Sequence, residues 1–159
     1  MEFKPKLTQY NINVLAVFAN SSTDEFTKNK IKMIIIEKIL NYNYSLFYLI
    51  HKFKMSNGIL KESYADVILM YMKDNDYYID EDILDGILKY ASFEGLVNYG
   101  FDSQSLEFSF KCKEEFDNRV KSIEDKIEFF RKRNMDEGNE KKLMLKLTKK
   151  KKGDKDDKY

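Results

Sequence analysis

The chain has 159 residues, 43% hydrophobic and 14% aromatic, which suffices for one good core and hardly two. Its single cysteine, Cys112, excludes an intrachain disulfide, and with one histidine, His51, no zinc set of His and Cys can be assembled within the chain. Net charge is +1, yet residues 141–159 hold nine lysines against three aspartates, so the remainder is acidic.

The opening MEFKPKLTQYN lacks an apolar signal core, and Lys, Glu or Asn break every apolar stretch short of the roughly 18 residues a membrane span needs. A cytoplasmic protein with no membrane contact is the expectation, and a lone thiol suits a reducing compartment. The 35% charged fraction, with one proline and six glycines, points to helices with solvated faces and short loops.

Leu7 to Ala19 reads as a first helix with Val14, Leu15, Val17 and Phe18 apolar. Asn20 to Asp24 is a polar break, and Asp24 or Thr27 can cap the second helix. In that helix Ile31, Ile34, Ile35 and Ile39 keep helical spacing. After Asn41 to Asn43, Leu46, Leu49, Ile50 and Phe53 share one face. Ser56-Asn57-Gly58 is a turn, and Tyr64, Val67, Ile68 and Tyr71 mark the next helix.

Lys73 to Tyr77 is another break, and Asp80 is an N-cap because its carboxylate can accept from free amides two or three residues on. Ile83, Leu84, Ile87, Leu88 and Ala91 give that helix a buried face, with Gly95 as its stop. Leu96 to Tyr99 reads as a short strand and Phe101 to Gln104 as a turn. Leu106, Phe108 and Phe110 alternate with polar residues as a second strand would. From about Lys113 to Arg133, Phe116, Val120, Ile123, Ile127 and Phe130 are spaced 4, 3, 4, 3, the seam of a coiled coil held for two heptads. The lysine-rich end from Lys149 has the composition of a disordered tail.

This order predicts a mainly α fold with a small β-hairpin (α+β): a winged helix. One domain covers residues 1–134, with its winged-helix core at about 60–111 and a packing helix at about 113–133. Residues 135–159 form a basic tail. Winged helices commonly read DNA through basic and amide side chains on the recognition helix. Here Asp74, Asp76, Asp80, Glu81, Asp82 and Asp85 fall between residues 74 and 88 with no Lys or Arg among them. Bringing that face to a duplex sets like charges together and releases no counterions. Protein contact is therefore the expected use. Tyr77, Tyr78, Tyr99 and Phe101, with Asp80, Glu81 and Asp82, are the expected interface, since tyrosine is enriched in interfaces. The heptad residues Phe116, Val120, Ile123, Ile127 and Phe130 are a second docking surface. Only Lys149, Lys150, Lys151 and Lys152 offer a nonspecific hold on phosphates. No phosphate-binding glycine loop or metal loop is present, so no cofactor, metal or catalytic residue is assigned.

The segments YNINVLAVFANSSTDEF, the Ile-rich helix from Lys30, and ILKYASFEGLVNYGFDSQSLEFSFKCKEEFDNRV resemble the middle component of bacterial ABC-three-component systems, which include Lamassu-type antiphage defence. The resemblance spans about Tyr10 to Arg131. It implies a non-catalytic accessory subunit, similar to the winged-helix subunits of SMC and MukBEF-like complexes. Its partners would be an SMC-like ATPase and an effector protein such as a nuclease, in a hetero-oligomer. The competing expectation is a homodimeric winged-helix transcriptional regulator on duplex DNA, with the heptad helix as its dimer seam.

Overall fold

A computed structural model describes residues 6–75 and 78–148, with side chains described as far as residue 132. The chain divides into two compact units, Met1–Phe116 and Asp117–Tyr159. In the first, a 3-10 turn at Leu7–Gln9 precedes α1 (Ile12–Ser21), α2 (Glu25–Asn41), α3 (Leu46–Met55), α4 (Gly58–Lys73) and α5 (Glu81–Tyr90). A single helical turn, α6 (Phe93–Gly95), runs into a π-helical turn at Leu96–Gly100. The last helix, α7 (Leu106–Thr148), begins in the first unit and supplies the described part of the second.

Side-chain caps set most starts. Asn11, Asp24, Ser45 and Asp80 each accept from a backbone amide of the helix they precede, which satisfies an otherwise orphaned donor. Asn11 moves the start of α1 to Ile12, so Leu7 to Gln9 stand outside it.

The core is organised around α4. Ser63 through Leu69 are buried without interruption, which a helix achieves only when neighbours surround it. Helices α1, α2, α3 and α5 and the π turn all pack on α4. Ile31, Ile35 and Ile39 of α2, Leu15 and Ala19 of α1, Leu49 of α3 and Ile87 of α5 point inward. Each fully buried Leu or Ile contributes about 1.5–3 kcal/mol.

The expected winged helix is overturned: among the described residues every regular element is helical and no hairpin forms. Helix α5 stops at Tyr90, and Ser92 caps a new turn by accepting from the Gly95 amide at 2.9 Å. Gly95 is not a left-handed stop, for its φ is −61°. It is needed because a Cβ there would come within 2.4 Å of Asp66 Oδ1. The expected first strand, Leu96 to Tyr99, is the π turn, whose Gly100 lies against the Cys112 side chain.

The expected second strand is the start of α7. Ser105 Oγ accepts from the Phe108 amide at 3.3 Å and caps the helix. Alternation held only from Leu106 to Phe110. The helical period over Phe108, Cys112 and Phe116 prevails: the first two are buried and the third is half-buried, while Leu106 and Phe110 stay 84% and 68% exposed. A DNA-binding winged helix would have no wing here.

Candidate protein-docking surface

The geometry behind the expected interface starts from a buried carboxylate. Asp66 sits within the apolar run of α4 and is 3% exposed. It accepts from the Ser92 amide at 2.9 Å and the Ser92 hydroxyl at 2.7 Å, and pairs with the Lys32 ammonium at 2.8 Å. Lys32, buried on α2, also meets Glu62. Burial pushes the Lys32 pKa down, but Asp66 and Glu62 outweigh it and hold the ammonium above its ordinary value. The network ties α2 and α4 to the start of α6. It thereby positions the turn at Phe93–Gly100 and, through Gly100 on Cys112, the head of α7.

The acidic face of α5 is less bare than its sequence implies. Asp80 caps the helix by accepting from the Asp82 amide at 3.1 Å, and acids at this end favour the helix dipole. Lys111, arriving from α7, pairs with Glu81 at 2.9 Å and Asp85 at 3.1 Å. The hydrogen bond to Glu81 leads in raising the Lys111 pKa above its usual value, with Asp85 adding to it. Glu81 and Asp85 are thus partly neutralised by a base outside their own stretch. Asp82 and Asp74 remain exposed.

The aromatic positions separate. Tyr78 is exposed and Tyr99 is packed against the core. Phe116 stands edge-to-face with both Phe93, at 5.5 Å, and Phe101, at 5.3 Å between ring centres. Phe101 and Phe116 therefore pack together at the C-terminal end of the first unit. Asp76, Tyr77 and Lys149 to Lys152 lie outside the described residues.

In the second unit Val120 is half-buried and residues 121–130 are all exposed. That stretch carries Ile123, Ile127, Phe129 and Phe130, between 43% and 62% exposed. Ile123, Ile127 and Phe130 lie on one stripe, and Phe129 widens it. A contiguous exposed apolar stripe marks an interaction surface.

Lys32, Asp66 and Ser92 escaped the sequence reading. A lone Asp inside YADVILMY and a Lys beside Ile31 were the available signals, because buried charges come in pairs. No helix among the described residues is long and apolar enough to cross a membrane. No family model, curated protein or solved structure matches the chain.

Proposed function

We propose that this protein is a non-catalytic assembly subunit that grips a coiled-coil partner through the exposed stripe of α7. The observation that carries it is the run 121–130, exposed at every position among the described residues yet holding Ile123, Ile127, Phe129 and Phe130. Such a stripe matches another helix with its own heptad seam. The sequence resemblance supplies the partner: an SMC-like ATPase, whose arms are coiled coils, acting with an effector in antiphage defence or DNA surveillance. The all-helical body would serve as a rigid mount. Phe101 and Phe116 are drawn into that body, so docking falls to the stripe beyond them.

The test is co-expression of the full chain with the products of its neighbouring genes, followed by capture and sizing. An SMC-like ATPase should copurify, and Ile123→Asp with Ile127→Asp should abolish the complex while leaving the helical circular dichroism intact. Retention of the partner by that double variant would overturn the proposal. A homodimer of the free chain, broken by the same double variant, with no ATPase bound, would replace it with self-assembly.

A further inference from the structure

A cavity of about 480 Å³ opens between the start of α1, the end of α3 and the start of α4. No Asp or Glu lines it. Its one charged group, Lys52, has no carboxylate partner among the described residues and rests over the Tyr48 ring at 5.3 Å. The α1 start borders the cavity through Asn11 and Asn13, and the α4 start through Asn57 and Leu60. Helix N-termini present free amides and positive partial charge. At α1 the Asn11 side chain takes the Val14 amide. At α4 the N-cap Asn57 makes no side-chain cap bond, and Asn20 reaches the Ile59 amide only at 3.5 Å.

A second, independent feature points to an occupant. Tyr64 lines the cavity, is 2% exposed, and its hydroxyl bonds no protein group among the described residues. A buried hydroxyl left unmade costs about 1–3 kcal/mol. Burial, with the phenols of Tyr44, Tyr42 and Tyr48 adding to it, pushes its pKa up to about 12. Tyr42 and Tyr44, with ring centres 5.2 Å apart, and Leu60 and Met55 supply apolar wall.

We propose that this cavity binds a small organic anion carrying a planar ring, the anionic group held by Lys52 and the Leu60 amide and the ring set against the tyrosines. Tyr64 donates its hydroxyl hydrogen to the ligand. The site lies wholly in the first unit and does not depend on the α7 stripe.

Thermal unfolding of the full chain with adenosine monophosphate, indole-3-carboxylate or inorganic phosphate tests this. A ring-bearing anion should raise Tm well beyond phosphate alone, since a ligand that binds only the native state stabilises it. The stronger of the two ring-bearing probes separates a phosphate ester from a carboxylate. Amide shifts should move at Asn13 and Leu60. Lys52→Met should weaken binding about tenfold and Tyr64→Phe severalfold, as expected for losing charge-assisted and neutral hydrogen bonds. Ile123→Asp should leave binding unchanged. No shift with either ring-bearing anion, an equal shift with phosphate, or undiminished binding to Lys52→Met would overturn the proposal.

Discussion

Two clusters of phenylalanine, one in each unit, differ in how far they are covered. In the first, Phe93, Phe101 and Phe116 meet edge-to-face and close the body. In the second, Phe129 and Phe130 meet each other at 5.6 Å between ring centres, and both stay exposed among the described residues. Phe116 and Phe130 belong to one heptad pattern. Periodicity therefore says which residues share a face, and the neighbours available decide whether that face is filled. Stability should reside in the first unit and association in the second.

The strongest way to break this contrast is at Asp66. Asp66→Ala removes the buried partner of the Lys32 ammonium, leaving only the more exposed Glu62, and should destabilise the chain by about 3–5 kcal/mol in urea unfolding. Pairing it with Lys32→Met should recover most of the loss, because a buried ion pair replaced by apolar groups is close to neutral. A loss below about 1 kcal/mol for Asp66→Ala would mean the network does not hold the turn.

The same comparison made on apolar residues should give the next largest difference. Leu69→Ala, in the fully enclosed part of α4, should cost about 2–5 kcal/mol through the cavity it leaves. Ile127→Ala should cost less than about 0.5 kcal/mol while weakening partner capture. Equal costs for the two would show that the α7 stripe is packed in the free protein.

Alkaline pH should weaken only the first unit. Burial pushes the Cys112 thiol from 9.0 to about 12, and Tyr64 from 10.0 to about 12. Lys32 is also held above its ordinary 10.5. In each case the folded chain keeps a proton that the unfolded chain has released. Stability is therefore full below pH 9 and falls as pH rises toward 12, beginning with Cys112. Urea midpoints across roughly pH 8 to 11 should show this decline, and Cys112→Ala should flatten its first part.

The smallest change should be a gain. Gly86 lies inside α5, and a Cβ there meets nothing within 4 Å. Gly86→Ala should stabilise the body by about 0.5–1 kcal/mol, seen as a higher urea midpoint. A decrease would mean α5 packs more closely at that point than the structure shows.

Much of the helical framework was legible from spacing and caps. Asp80, Asp24 and the stripes of α2, α3 and α5 announced themselves as expected. The failure fell between Ala91 and Phe110, where short-range signals conflicted. A five-residue alternation resembled a strand, while the helical signal needed Ser105 as cap and Phe108, Cys112 and Phe116 as face. The deciding contacts, Asp66 on Ser92 and Cys112 on Gly100, span 26 and 12 positions of sequence and leave no local trace. The cavity under Tyr64 was illegible for the same reason, since its walls come from three separate helices. The heptad stripe was visible in sequence, and the structure adds which of its residues the body has already claimed.

Cys112 has a further use, set by where it lies. It is the chain's one thiol, fully buried, beneath Gly100 at the base of α7. A thiol reagent can reach it only when that junction opens. Its rate of modification in the native protein is thus a built-in clock for the detachment of α7 from the body. Run with and without a captured partner, that clock would tell whether loading the distal stripe steadies or loosens the mount.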